Sequence, residues 1–272
     1  SRSISVPLFD DDSSDRNKTI ILSLFNPLFA ALGAVTNATV TILDNELANR
    51  PAGGLDADFD MGEGPNKPVY SVALQSDGKH VISGDFTEFS REVRKGITRL
   101  TTEGALDRSF DVGSGANGSI RAMTIQKDGR ILIGGTFTSV NNAPLNNIAR
   151  LGASGSLDAT FNPGSGPDNP VYALAETFLG SEPRILAGGG FNTFNGFSRH
   201  NVVRLGADAT VDFAFDPGSG ANGAVSAITV LRSGKILIGG DFTLINCISR
   251  QYTARLNADG SLDGTFDAGL GA

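Results

Sequence analysis

The chain has 272 residues, of which 19% are charged, with 35 Gly and a formal net charge of −7. No basic patch offsets this charge, which argues against nucleic-acid backbones as partners. No apolar run reaches the roughly 20 residues that a membrane-spanning helix needs, and Cys247 has no second cysteine to pair with. This composition is typical of a modular extracellular or cell-surface protein.

Residues 1–46 show three alternating strand patterns, at 3–9, 19–24 and 38–42. An acidic loop, Asp10-Asp11-Asp12-Ser13-Ser14-Asp15, follows the first pattern, and the third runs into Leu43-Asp44-Asn45-Glu46. The order of strand, acidic loop, strand, Leu-Gly turn and Ala-Thr-Val-Thr-Ile strand resembles the C-terminal half of a Calx-beta domain. That resemblance implies part of an immunoglobulin-like sandwich, which in several members binds calcium at one end.

The acidic residues at this end of the expected sandwich are candidate calcium ligands, because Ca²⁺ takes six to eight oxygen ligands. The candidates are Asp10, Asp11, Asp12, Asp15, Asp44 and Glu46. The run Asp15-Arg16-Asn17-Lys18 stands where family members commonly carry Glu-Gly-Asn-Glu, which removes carboxylates from the loop. A solvated acidic turn is the alternative interpretation.

A half-sandwich leaves the inner faces of its strands in need of an opposing layer. Either the missing half lies upstream in a longer natural chain, or another protomer supplies it by strand addition. The second case predicts a head-to-tail homo-oligomer or filament.

After a linker at residues 47–54, a motif of the form Leu-Asp-x-x-Phe recurs at a nearly fixed period. The copies occupy 55–59, 106–110, 157–161, 211–215 (with Val211 for Leu) and 262–266, at spacings of 51, 51, 54 and 51 residues. Such a period indicates one supersecondary unit copied in tandem and stabilised by its neighbours. We therefore predict repeats beginning near 55, 106, 157 and 211, with a partial repeat from 262.

Each repeat contains three short apolar runs separated by turn sequences. In the second repeat, Lys127-Asp128-Gly129-Arg130 separates the runs at 120–125 and 131–133, which is a strong hairpin signal. With the Leu-Asp-x-x-Phe segment, this predicts four short strands, the content of one β-propeller blade. The extra three residues of the third repeat fall near 179–184, and we expect a longer loop there.

In this order of motifs the chain resembles the delta-60 repeats of bacterial surface and secreted proteins. The matching elements include Gly135-Thr136-Phe137-Thr138 and Ala149-Arg150-Leu151, and four copies cover residues 55–260. The resemblance implies an all-β chain, a partial sandwich at 1–46 followed by a propeller of about four four-stranded blades at 55–272.

The sequence offers little for catalysis. Its two histidines, His80 and His200, lie in different repeats and at different repeat positions. An aspartate and an arginine recur in each copy, as at Arg150 and Asp158, and identical groups around a ring favour a structural pairing over an asymmetric active site. We also expect the motif phenylalanines and those of the Gly-x-Phe sequences to be buried.

These features predict a non-catalytic module for adhesion or surface assembly, which binds a protein or glycan ligand or other copies of itself. Two alternatives stay open: a propeller enzyme acting on carbohydrate, and a calcium-dependent ligand-binding module. Catalytic and cofactor-binding residues are not predicted.

Overall fold

The structure is a computed structural model that describes residues 18–23, 37–42, 56 and 58–266. The chain divides into two units, Ser1–Asp60 and Met61–Ala272. In the first unit, β1 (Lys18–Ser23) pairs antiparallel with β2 (Asn37–Ile42). These strands match two of the three predicted patterns; the pattern at 3–9 lies outside the described residues, and an immunoglobulin-like sandwich is not confirmed.

The second unit consists of four successive β blades. Blade 1 contains β3 (Val69–Leu74), β4 (His80–Gly84), β5 (Glu88–Phe89), β6 (Glu92–Val93) and β7 (Ile97–Leu100). Blade 2 contains β8 (Ile120–Ile125), β9 (Ile131–Gly135), β10 (Ser139–Val140), β11 (Ala143–Pro144) and β12 (Ile148–Leu151).

The last two blades repeat this order of strands. Blade 3 contains β13 (Val171–Leu179), β14 (Glu182–Gly189), β15 (Thr193–Phe194), β16 (Phe197–Ser198) and β17 (Val202–Leu205). Blade 4 contains β18 (Val225–Val230), β19 (Ile236–Gly240), β20 (Leu244–Ile245), β21 (Ile248–Ser249) and β22 (Thr253–Leu256). The described residues contain no helix, which confirms the all-β prediction.

Each blade is a three-stranded antiparallel sheet in which the second strand is central, as in the order β8-β9-β12, with a separate two-stranded hairpin. The expected fourth strand is shorter than predicted. Leu157 pairs with Leu151 through a single bridge, and Leu262 pairs with Leu256 in the same way. Extension stops there because the next residue, Asp158, accepts a hydrogen bond from the amide of Thr160 and turns the chain.

Neighbouring blades pack through their first strands and their apolar faces. β3 lies against β8, β8 against β13, and β13 against β18. Val81 and Ile97 of blade 1 share a buried cluster with Ile120 and Met123 of blade 2. This arrangement of blades is propeller-like, but within the described residues no comparable packing joins β18 to β3, and a closed ring is not present.

The recurring arginine and aspartate pair as the sequence indicated. In blade 2, Arg150 Nε donates to Asp158 Oδ2 at 2.8 Å, and its guanidinium carbon lies 5.0 Å from the centre of the Phe161 ring. Its Nη1 donates to the carbonyl of Ala207 in blade 3. One buried cation thus joins the strand, the motif and the next blade, and we call this arrangement the arginine clamp.

The ion pair of the clamp recurs in the other blades. Nε to Oδ2 distances are 2.9 Å for Arg99 and Asp107, 2.8 Å for Arg204 and Asp212, and 2.7 Å for Arg255 and Asp263. A second cation approaches the same carboxylate oxygen from the first hairpin, such as Lys79 at 2.9 Å from Asp107. Because two cations hold one carboxylate, the recurring aspartates are structural.

Burial of the phenylalanines is largely as expected. Phe86, Phe137, Phe191 and Phe242 are at most 1% exposed, and the motif residues Phe110, Phe161 and Phe215 are at most 3% exposed. The two outermost motif residues, Phe59 and Phe266, are only half-buried.

Phe137→Ala should lower the free energy of unfolding by about 3 to 5 kcal/mol, because it removes a fully buried ring and leaves a cavity. Reversible urea denaturation followed by circular dichroism measures this. Phe178→Ala is the control: that ring is 46% exposed, and its loss should cost under about 1 kcal/mol. Equal losses in the two variants would contradict the packing.

The clamp also predicts an acid-labile fold. Burial by itself raises the pKa of Asp158, but the hydroxyl and amide of Thr160 and the guanidinium of Arg150 outweigh it and hold that pKa below the ordinary value of 3.8. A lowered folded-state pKa stabilises the fold above the unfolded-state value, and this stability is lost as the pH falls through the folded-state pKa. The urea midpoint should therefore be flat from about pH 7 to 5 and fall below about pH 4.

Asp158→Asn is the matched variant for this titration. It should unfold at lower urea concentration at pH 7 and lose less stability on acidification, because the titrating group is gone. A midpoint that does not change down to about pH 3 would show that the clamp aspartates do not stabilise the fold.

Candidate functional site

Two rim positions, one on the second strand of the outer hairpin and one inside the Leu-Asp-x-x-Phe motif, carry different chemistry in each blade. From blade 1 to blade 4 the pairs are Glu92 and Arg108, Ala143 and Ala159, Phe197 and Phe213, and Ile248 and Gly264. The blade 1 pair forms an ion pair. In blade 3 the two rings meet edge to face, with centroids 5.0 Å apart at 88°. The scaffold is thus constant while these side chains vary.

The aromatic pair of blade 3 is exposed. Phe197 is 45% and Phe213 61% exposed, and the guanidinium of Arg199 lies 5.1 Å from the centre of the Phe213 ring. Large apolar side chains are usually buried, so exposed ones often mark a binding surface. Here two exposed aromatic rings contact each other beside a cation, and together they form an amphipathic platform.

Phe213 also lines a surface depression of about 530 Å³. Its lining includes Glu182, Arg184, Asp208 and Asp212, which carry both signs of charge. We call this depression and the adjoining pair Phe197 and Phe213 the blade 3 rim site. It combines an exposed apolar platform with charged groups along one edge.

The third repeat's extra residues build one wall of this site. The expected loop at 179–184 is wrong: β13 and β14 are extended, with Thr177 opposite Arg184 and Leu179 opposite Glu182. Only Gly180 and Ser181 form the turn, and Gly180 adopts the positive φ of 63° that a two-residue hairpin turn favours. The backbone pairing of β13 with β14 continues through the inserted residues, and this extension carries Glu182 to the depression.

The carboxylates of the site differ in electrostatic environment. The hydroxyl and amide of Thr210 hold the pKa of Asp208 below its ordinary value. Burial acts to raise the pKa of Asp212, but the amide of Ala214 and Arg204 outweigh it. Asp212 Oδ2 also lies 3.5 Å from Arg184 Nε, so this residue belongs to the clamp. Glu182 and Asp208 are the carboxylates outside the clamp.

The histidines are not brought together into one site. His80 Nδ1 lies 3.4 Å from the carbonyl of Thr101 in blade 1, and His200 Nε2 lies 3.2 Å from Ser198 Oγ in blade 3. Sequence reasoning missed Phe197 and Phe213. Both residues differ from those at the same positions in the other repeats. This difference becomes informative only when the hairpin and motif positions are known to be neighbours.

The predicted calcium ligands Asp10, Asp11, Asp12, Asp15, Asp44 and Glu46 lie outside the described residues. Within the part of the chain that the structure describes, no group of three or more His, Cys, Asp or Glu side chains is arranged to hold a metal ion. The same part contains no helix long and apolar enough to cross a membrane.

A family profile for a β-propeller domain of unknown function, DUF5122, matches residues 75–110, 126–161, 184–215 and 231–266. These segments make up about half of the chain and one falls in each blade, so the chain belongs to the DUF5122 β-propeller family. A search of curated proteins found no match.

Three solved structures from Bacteroides species show weak similarity to this chain. A Bacteroides caccae protein of unknown function is 12% identical with a TM-score of 0.32, over 71% of this chain and 79% of that one. A candidate glycosidase from Bacteroides thetaiotaomicron is 14% identical (TM-score 0.28, 68% and 65%). A glycosyl hydrolase from Bacteroides ovatus is 11% identical (TM-score 0.28, 68% and 63%), so the chain spans less than two thirds of these two proteins.

These neighbours overturn the expectation of a non-catalytic module for adhesion or surface assembly, because several are described as carbohydrate-cleaving enzymes. With identities of 14% or less and TM-scores below 0.5, they assign no residue of this chain a role.

Proposed function

We propose that this chain is a carbohydrate-directed propeller domain that binds a saccharide at the blade 3 rim site and cleaves its glycosidic bond there. The observation that carries the proposal is the exposed pair Phe197 and Phe213 beside a depression lined by carboxylates. In the other blades the same two positions hold small, aliphatic or ion-paired residues.

The platform suits the two-sided chemistry of a sugar ring. A pyranose presents C–H groups on its faces and hydroxyls around its edge, so it packs on an aromatic ring while charged groups bond its hydroxyls. Phe213 supplies the ring. Arg184, which lines the adjoining depression, supplies a fixed donor for these hydroxyls.

Glycoside cleavage in most enzymes uses two carboxyl groups on either side of the bond. Asp208 stays ionised because Thr210 donates two hydrogen bonds to it, which suits a base or nucleophile. Glu182 is the second group, in the role of the acid. Asp212 is excluded from either role because its carboxylate is already paired with Arg204 and Arg184.

Phe213→Ala should weaken saccharide binding at least tenfold, because it removes the stacking surface, and Phe197→Ala should act in the same direction. Isothermal titration with ligands chosen from a glycan array measures this. Phe178→Ala is the matched control, since that ring is also exposed but stacks on Lys127 and does not line the site. Binding that survives in Phe213→Ala would place the ligand elsewhere.

Glu182→Gln should abolish release of reducing sugar while leaving saccharide affinity within about threefold, because the shape of the side chain is kept and only the proton donor is lost. Glu182 lies on an exposed hairpin, so the variant should fold normally. Equal turnover by wild type and Glu182→Gln would remove this residue from the chemistry, and binding without turnover by the wild type would refute the enzymatic half of the proposal.

We further propose that residues 1–46 are a Calx-beta half-domain, that the repeats are of the delta-60 type, and that the protein acts outside the bacterial cell. The sequence resemblances support these statements.

We propose that the acidic loop binds calcium, and titrating Ca²⁺ into the full chain tests this. Replacement of Asp10, Asp11 and Asp12 by Asn should remove binding. Binding unchanged in that variant would reject the loop as the site.

A further inference from the structure

Three cationic side chains of blade 1 occupy repeat positions at which blades 2 to 4 have no lysine or arginine. Lys67 lies before the first strand of the blade, Lys95 after its outer hairpin, and Arg108 within its Leu-Asp-x-x-Phe motif. The equivalent residues are Gly118, Asn169 and Gly223, then Asn146, His200 and Gln251, then Ala159, Phe213 and Gly264. The repeated scaffold therefore does not require these three cations.

The fold brings the three cations to two depressions between blades 1 and 2. One depression, of about 450 Å³, is lined by Arg94, Lys95 and Arg108. The other, of about 360 Å³, is lined by Lys67 and Lys95. We call the two depressions together the blade 1–2 groove, which Lys95 lines in both halves. The cations are far apart in the sequence, so they form no basic run there.

The two lysines of the groove are available to a ligand. Both side chains are exposed, and neither ammonium group forms a salt bridge with a carboxylate of residues 58–266. Asp85, which lines the same depression, accepts a hydrogen bond from the hydroxyl of Ser119 at 2.6 Å. Asp111 accepts one from a backbone amide of its own loop at 2.8 Å. Cations without a counter-ion in a depression attract anionic groups.

The two arginines at the outer end of the groove share one carboxylate. Arg94 Nη2 lies 3.2 Å from one oxygen of Glu92, and Arg108 Nη2 contacts the other oxygen. One carboxylate between two guanidinium groups leaves an excess positive charge. A guanidinium carries five N–H donors, and the side chain of Arg108 is 74% exposed, so Arg108 retains donors for a second anion.

The lining of the groove fits a ligand that carries both anionic groups and hydroxyls. Its four cations attract carboxylate or sulfate groups, while Asp85 and Asp111 accept hydrogen bonds from hydroxyls. A polyphosphate or nucleic-acid backbone presents mainly anionic oxygens, which these two carboxylates repel. An acidic saccharide presents hydroxyl donors beside each anionic group, so it matches both kinds of side chain.

We infer that the blade 1–2 groove binds an anionic oligosaccharide, whose carboxylate or sulfate groups pair with Lys67, Lys95 and Arg108. The chain has a net charge of −7, which disfavours non-specific binding of an anionic polymer elsewhere on its surface. The inference does not rest on the proposed function, because the proposed cleavage site lies on blade 3.

Isothermal titration into the full chain tests the inference with three probes of equal length: an oligogalacturonate, a chondroitin sulfate oligosaccharide and a neutral maltooligosaccharide. The chain should bind one or both acidic probes and not the neutral one, and the two acidic probes distinguish carboxylate from sulfate recognition. Affinity should fall as NaCl is raised from about 0.05 to 0.5 M, because salt screens exposed ion pairs. Inorganic polyphosphate should bind about tenfold more weakly than the acidic saccharide.

The repeat itself supplies the matched variants, since each cation is replaced by the residue that blade 2 has at the same position. Lys95→Asn should weaken binding of the acidic probe about tenfold, because it removes a charge-assisted contact that serves both depressions. Lys67→Gly and Arg108→Ala should act in the same direction. Arg232→Asn is the control: it removes an exposed cation from a turn of blade 4 and should leave the affinity unchanged. Circular dichroism melts check that the variants fold.

Phe213→Ala separates this groove from the blade 3 rim site, and it should bind the acidic probe as wild type does. Loss of binding in Phe213→Ala, unchanged affinity in Lys95→Asn, or equal affinity for the neutral probe would each overturn the inference. So would a wild-type chain that binds neither acidic probe, or one that binds polyphosphate as tightly as the saccharide. These results do not depend on whether the chain cleaves a glycosidic bond.

Discussion

The fold depends on the fact that one blade cannot cover its own two faces. A three-stranded sheet of this size buries enough apolar surface only when a neighbour packs on it, and the structure meets this need at three contacts between successive blades. Shape is set by small residues such as Gly134, which admit the side chain of the next blade. Polar specificity comes from the arginine clamp, whose cation reaches the next blade's turn.

The clamp explains why charged residues recur where a core is expected. A buried cation is tolerated only when its donors are satisfied. Arg150 meets this condition through Asp158, Thr160 and the carbonyl of Ala207, with Phe161 against its plane. A residue identical in every repeat in this way supports the scaffold, so the search for function moves to positions where the repeats differ.

The four repeats differ from one another at the two exposed positions of the outer hairpin and the motif. The same pair of positions holds an ion pair in blade 1 and two exposed aromatic rings in blade 3, and the extended β13–β14 hairpin adds Glu182 beside them. One blade of four thereby acquires an exposed aromatic platform that the other described blades lack. Such asymmetry on a repeated scaffold is what a binding or catalytic site requires.

The sequence by itself determined the repeat, the all-β class, the buried phenylalanines and the pairing of Arg150 with Asp158, because period, turn residues and recurring charges are local or fixed in spacing. Tertiary structure decided the rest. Phe197 and Phe213 are 16 residues apart and meet only because the outer hairpin folds back toward the motif of the same repeat. The extension of the third hairpin and the single-bridge fourth strand also depend on which surfaces meet, and contacts between distant segments leave no periodic trace in a single sequence.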